Sequence, residues 1–312
     1  MHDKKFFYKY ATAETVFNIL QNRKLKYCSP VLFNDPFDTQ TRIHFDFEFP
    51  DFVEAFGDEI YKLVHGDEKP TGDISNQLFK DILETWQMAK NSPQKMPKEI
   101  FKDRIKSQYE ETIKLSENYF EYWNSWWIKF VTASRIFCVT EEPDNLLMLA
   151  HYAKDHTGVV IEFECLPELD TLLCGARKVD YVKTPPVIAK LEEYLKYITG
   201  QEANLINHDL LMYTLFLSKS EHWEYEKEWR VFIPPHDLED PNIPIDADGN
   251  EILFDFLSYH PKEIHALYFG CKIKDGDKER ISECLSGDFA HVKKYESRRM
   301  EKEYKIIFEM VE

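Results

Sequence analysis

Eleven residues, His222 to Phe232 (HWEYEKEWRVF), hold three glutamates, two tryptophans and one arginine. Read as a strand, their side chains alternate between two faces. Trp223, Tyr225, Lys227, Trp229 and Val231 share one face, expected in the core. Glu224, Glu226, Glu228, Arg230 and Phe232 share the other. On such a strand the Cα atoms of Glu226 and Glu228 lie about 6.6 Å apart, so both carboxyls reach one site. Two neighbouring carboxyls resist joint ionisation and one pKa rises; Arg230 opposes that rise. Glu226, Glu228 and Arg230 are therefore the candidate catalytic residues. They could steady an oxocarbenium-like centre on a ribose, or orient its hydroxyls, as cleavage of a glycosidic bond requires. The structural alternative pairs the glutamates with lysines of a neighbouring strand, each pair stabilising by under about 1 kcal/mol. Arg230 would then hold the Asn34-Asp35 loop.

Further candidates lie far away in sequence. Tyr8 or Tyr10 could stack on a nicotinamide or base, and Lys9 could meet a phosphate; alternation places Lys9 on the face opposite the two tyrosines. Asn34 and Asp38 of NDPFD could line the pocket beside Arg230. The alternative there is an Asx turn at Asn34 or Asp35, with Pro36 fixing the chain and Phe33 and Phe37 plugging the core. Tyr152, with His151, is a candidate for the same pocket, or else a hydrogen-bonded core tyrosine. Lys219 reads as a helix C-terminal cation or as a phosphate ligand.

The elements that must position these residues follow from periodicity. FFYKY (6–10) reads as a strand, followed by a helix over Ala13 to Asn22 capped by Thr12, with Val16, Ile19 and Leu20 on its apolar face. LKYCS is a strand and PVLFNDPFD a loop. From 51 to 130 the spacing is helical throughout. This stretch is expected to be an all-helical insertion, with Tyr119, Phe120, Tyr122, Trp123, Trp126 and Trp127 as an inter-helix core. Strands are expected at RIFCVT, TGVVIEFE, RKVDYV, ILFDFL, HALYFGCKI, HVKKYE and KIIFEMV. Helices are expected over 144–154 with Asp144 as a cap, and near 186–198, 203–219 and 277–285. The order predicts a single α+β domain over 1–312, with a mixed, mostly antiparallel sheet and flanking helices.

The chain has 312 residues, 43% of them apolar and 15% aromatic, which suits a packed core. Its net charge of −17 disfavours bulk nucleic acid or membrane as a partner, while a local cleft could still admit a small nucleotide. The six cysteines form no C-x-x-C pair, and no signal-peptide core or 18-residue apolar run occurs. A cytoplasmic location with reduced thiols is expected. Phosphate-loop, dinucleotide-fingerprint, H-E-x-x-H and nucleophile-elbow motifs are missing, and no metal ligand set is expected.

Three blocks carry a resemblance. FNDPFD (33–38) is the first. Asp144, Asn145, Met148, Tyr152 and Gly158 form the second, and Trp223, Tyr225, Glu226, Glu228, Trp229 and Arg230 the third, with Lys219 before it. Together they resemble the bacterial domain-of-unknown-function 2971 family (DUF2971), with Leu149 where that pattern has tryptophan. The resemblance implies no established activity. A first strand with aromatic and basic residues, a helix ending in Ile19-Leu20, a short strand with Ser29 and a late glutamate are similar, at fold level, to ADP-ribosyltransferase-like proteins; that analogy implies an enzyme consuming NAD as substrate, with a toxin or phage-defence role, and no cofactor is otherwise assigned. The alternative is a non-catalytic binding or sensor module that recognises a protein partner through the helical stretch.

Overall fold

The computed structural model describes residues 2–40, 42–92, 94–202, 214–238 and 240–311. In chain order the elements are β1 (Phe6–Ala11), α1 (Ala13–Asn22), β2 (Lys24–Cys28), α2 (Phe49–His65), α3 (Gln77–Lys90), α4 (Lys98–Gln108) and α5 (Glu110–Ala133). Then come β3 (Arg135–Thr140), α6 (Leu146–His151), β4 (Val159–Glu164), β5 (Arg177–Lys178), β6 (Asp180–Val182), α7 (Leu191–Ile198), β7 (Ser218–Ser220) and β8 (Glu228–Ile233). The last are β9 (Phe254–Ser258), β10 (Ile264–Phe269), α8 (Asp275–Glu283), β11 (Lys293–Arg299) and β12 (Ile306–Val311). Of the helix expected over 203–219, residues 203–213 lie outside the described residues.

The chain forms two compact units. One comprises Met1–Thr41, Lys129–Thr184 and Leu217–Glu312; the other comprises Arg42–Ile128 and Pro185–Phe216. The first unit is α+β. Its main sheet runs β12-β11-β10-β4-β1-β3-β2-β9, with β8 on β3 and β5 on β8. Every pairing in it is antiparallel except β10 with β11.

Strand β3 is the pivot. Along one edge it carries β8 through six registered pairs, from Arg135↔Ile233 to Thr140↔Glu228. On its other edge it meets β1 only at Tyr8↔Thr140 and β2 only at Cys28↔Ile136. β1 and β2 therefore diverge, and the sheet is split between them.

Alternation along β1 sends Phe7 to one face and Tyr8 and Tyr10 to the other. The first face packs with Val16, Ile19 and Leu20 of α1, Ile281 of α8, and Val159, Ile161 and Phe163 of β4. Thr12 caps α1, its hydroxyl accepting the Thr15 N–H at 3.1 Å, as the sequence predicts. The second face packs under α6 through Tyr10, Met148, Leu149, Ala153, Val160 and Ile306.

α6 ends earlier than expected. Lys154, Asp155 and His156 all take positive φ (48°, 57° and 67°), turning the chain sharply into β4. Gly158 follows because a Cβ there would lie 2.2 Å from the Ala11 carbonyl oxygen. RKVDYV likewise divides, into β5 and β6. The latter forms a separate parallel pair with β7.

In the second unit, α2 buries Phe52, Phe56, Ile60 and Val64 at helical spacing against Leu78 and Ile82 of α3, Phe101 and Ile105 of α4, and Tyr194 of α7. Of the aromatic run at the end of α5, Trp127 is 2% exposed and Tyr122 61%, so the described part is core only in part; the side chains of Tyr119 and Phe120 lie outside those described. Among the described residues no helix is long and apolar enough to cross a membrane.

Candidate functional site

The HWEYEKEWRVF segment is not one strand. Glu221–Glu226 forms a 3-10 turn, Lys227 closes it in the left-handed region (φ 45°), and β8 starts at Glu228. The physical reason lies in the charges. A continuous strand would aim Glu224, Glu226 and Glu228 at one face, and three carboxylates cannot all be desolvated beside one guanidinium. The turn leaves Glu224 exposed and brings Glu226 in; the left-handed residue then lets Glu228 enter the strand on the same side. Glu226, Glu228 and Arg230 are 3%, 5% and 1% exposed. The carboxylate face is thus the buried one, and Lys227, expected with the core residues, is exposed.

These three side chains meet two from elsewhere. Lys219, on β7, donates to Glu226 Oε2 at 2.5 Å and to Glu228 Oε2 at 2.8 Å, and lies 3.5 Å from Asp38 Oδ2. Arg230 donates from Nε to Glu228 Oε1 at 2.8 Å and from Nη2 to Asp38 Oδ2 at 2.6 Å. Its guanidinium lies over the Phe33 ring, 5.5 Å from the centroid. Tyr152 donates its hydroxyl proton to Glu226 Oε1 at 2.6 Å and accepts from Asn34 Nδ2 at 3.4 Å. Tyr181 accepts the Glu228 N–H at 2.8 Å. Three acids and two bases thus share one buried network.

The network floors a half-open cleft of about 510 Å³ that occupies the split beside β3. Tyr8, Lys9, Tyr10, Asn34, Asp38, Tyr152, Lys219, Glu226 and Glu228 all line it; Arg230 sits behind them. Lys9 reaches the split although it projects opposite the tyrosines, because there is no strand in its way. Its ammonium donates to the Cys138 carbonyl at 2.8 Å. Tyr10 is partly committed to the fold, donating to Glu142 O at 2.8 Å and accepting the Asn145 N–H at 3.0 Å.

The electrostatics separate the three acids. Burial pushes the Asp38 carboxyl up, and Arg230 only partly opposes it. Burial likewise raises Glu226 against the pull of Lys219. Burial also acts on Glu228, but there Arg230 and Lys219 prevail and hold the carboxyl well below the usual range. Tyr152 is pushed up by burial and by donating to Glu226. Asp38 Oδ1 is buried with no hydrogen-bond partner among the described residues. The neighbouring cations thus hold Glu228 as the anion of the group, while Asp38 and Glu226 are the two acids that burial shifts upward.

Several expectations need correction. Lys219 is no helix-terminal cation; it is a buried strand residue, 6% exposed. The contact expected between Arg230 and Asn34-Asp35 goes to Asp38 instead. The Asx turn expected at Asn34 or Asp35 does form, at Asp35, whose Oδ1 accepts the Phe37 N–H at 2.9 Å, but Phe37 is 72% exposed rather than in the core. Asn145, not Asp144, caps α6, accepting from Leu147 N and Met148 N while its amide donates to Tyr225 O at 2.6 Å. The sequence reading missed Thr140, Tyr181, Cys138 and Lys26. Their place at the site depends on strand pairing and carries no motif.

A split antiparallel sheet over a buried network of three carboxylates and two cations defines an α+β protein with an internal polar site. Residues 148–231 match the model of a family described as "Protein of unknown function (DUF2971)", which shows the family resemblance over that stretch. The match contains Tyr152, Lys219, Glu226, Glu228 and Arg230 and leaves FNDPFD outside. Comparison with curated proteins and with solved structures found no match.

Proposed function

We propose that the cleft is the active site of an enzyme that breaks the glycosidic bond of a nucleotide, with NAD as substrate in an ADP-ribosyltransferase-like reaction. The observation that carries this reading is Glu226: a carboxyl with raised pKa, held between the Lys219 ammonium and the Tyr152 hydroxyl, in a cleft walled by Tyr8 and Tyr10. A volume of about 510 Å³ suits a ligand of nucleotide size. Tyr8 offers its ring for stacking. The unpaired Asp38 Oδ1 offers an acceptor for a sugar hydroxyl. Glu226 with Tyr152 stabilises the positive charge that develops on the ribose as the base departs. Glu228 and Arg230 act through Lys219 and Asp38, as positioning residues.

The test is NAD consumption by the purified chain, with product analysis for released nicotinamide. Glu226→Gln should abolish turnover while the melting temperature stays near that of wild type. An inert wild type defeats the reading. A second reading, a non-catalytic binding module, draws on the complete ion pairing of Glu228, which suits a structural residue. It predicts a stoichiometric protein partner whose capture Glu226→Gln leaves intact.

A further inference from the structure

We infer that Lys9 and Lys26 form an oxyanion subsite in the sheet split, built for the phosphate or pyrophosphate of a small ligand. The idea rests on the nucleotide reading only for the identity of what carries the phosphate.

Both lysines line the cleft, one from β1 and one from β2, the two strands that diverge. Neither enters an ion pair among the described residues. That contrasts with Lys219 and Arg230, whose charges are spent on Asp38, Glu226 and Glu228. Three acids against those two cations leave at most one negative charge on the cleft floor, and Lys9 and Lys26 add two positive charges that no ion pair among the described residues offsets, so the cleft as a whole favours an anion.

Lys9 is also held in place. One of its three N–H groups goes to the Cys138 carbonyl, and its ammonium lies over the Phe137 ring, 5.1 Å from the centroid. Two donors remain. Lys26 is exposed, its ammonium over the Phe254 ring, 4.2 Å from the centroid.

Strand β3 adds a third element. Its ladder on this edge registers Ile136 and Thr140 and skips Cys138. In an extended chain the N–H and C=O of one residue point to the same side. The Cys138 N–H therefore faces the split beside the carbonyl that Lys9 holds. A surface of net charge −17 repels bulk polyanions, so such a subsite selects small phosphates over nucleic acid.

The probe is inorganic pyrophosphate, titrated calorimetrically into the full chain at two salt concentrations. Binding should weaken with salt, fall about tenfold in Lys26→Met, and vanish in Lys9→Met/Lys26→Met. Lys24→Met, on β2 but outside the cleft lining, should leave it unchanged. Thermal melting checks that Lys9→Met folds, since it also removes the Cys138 contact; Lys26→Met carries the test without that risk. No pyrophosphate binding, or binding that Lys26→Met does not alter, overturns the inference. Pyrophosphate binding without NAD turnover overturns the enzymatic reading alone. Turnover whose KM is unmoved by Lys26→Met overturns the subsite alone.

Discussion

Glu226 and Glu228 accept hydrogen bonds from one and the same ammonium, that of Lys219, at 2.5 and 2.8 Å. Two acids separated by a single residue thus share a cation that comes from β7, and their carboxyls shift in opposite directions, Glu226 up with burial and Glu228 down beside Arg230 and Lys219.

Removing that cation should be severe. Lys219→Met leaves two buried carboxylates facing each other, with only Arg230 still on Glu228. The expected loss is about 3–5 kcal/mol in urea unfolding. Adding Glu226→Gln to Lys219→Met should restore part of it. A loss under about 1 kcal/mol would instead indicate a solvated pair.

The pH dependence has two limbs of opposite sign. Asp38 has its carboxyl raised on folding, so the native state binds a proton that the unfolded chain has lost. Its contribution to stability therefore falls as pH rises from the unfolded pKa through the folded one. Asp38→Asn should remove that decline. Glu228 is depressed, so its contribution is complete above 4.5 and is lost as pH falls through the folded value. Glu228→Gln should flatten the acid limb. Urea midpoints across the pH range measure both, and unchanged slopes would refute the assignment.

Tyr152→Phe deletes the hydroxyl that Glu226 accepts from while keeping the ring. Stability should drop by about 1 kcal/mol. On the enzymatic reading, kcat should fall about a hundredfold or more with little change in KM. Equal loss in kcat and stability signal, with no recovery at any pH, would make Tyr152 a scaffold residue.

Gly158→Ala tests the turn behind α6. The new Cβ would press on the Ala11 carbonyl at 2.2 Å and on the Ala153 backbone at 2.9 Å. Neither is the end of a flexible side chain, so the strands themselves must move. A destabilisation of about 2 kcal/mol or more is expected, seen as a lower melting temperature. An unchanged melting temperature would show that the β1–β4 contact can relax.

Local rules made much of this legible. Thr12 and the spacing of Val16, Ile19 and Leu20 specify α1, because a cap and a stripe are properties of adjacent residues. The near-continuous apolar run of β4 announces a strand buried on both faces. Every candidate ligand residue named from sequence lines the cleft, and distinctive stretches such as NDPFD and WEYEKEWR mark the segments that reach it. The register of the acids was harder. Alternation from Glu224 fails because Lys227 takes a left-handed conformation, which its side chain does not advertise. The environment of Lys219 was hidden because its partners, Asp38 included, are set by tertiary contact. The split at β3 was invisible for the same reason: it depends on how β1 and β2 pair with β3, a segment more than a hundred residues further along the chain.

β4 and the first four residues of β8 fall within the family-matched stretch 148–231 and do not touch in the sheet; β1 and β3, from outside that stretch, lie between them. A fragment excised at those borders would keep Tyr152, Tyr181, Lys219, Glu226, Glu228 and Arg230 but lose the strands that space them apart. It should collapse or aggregate through its bare edges instead of folding as a miniature. The cleft is therefore a property of chain closure: the amino-terminal strand β1 must be seated between β4 and β3 before the acids have anything to face.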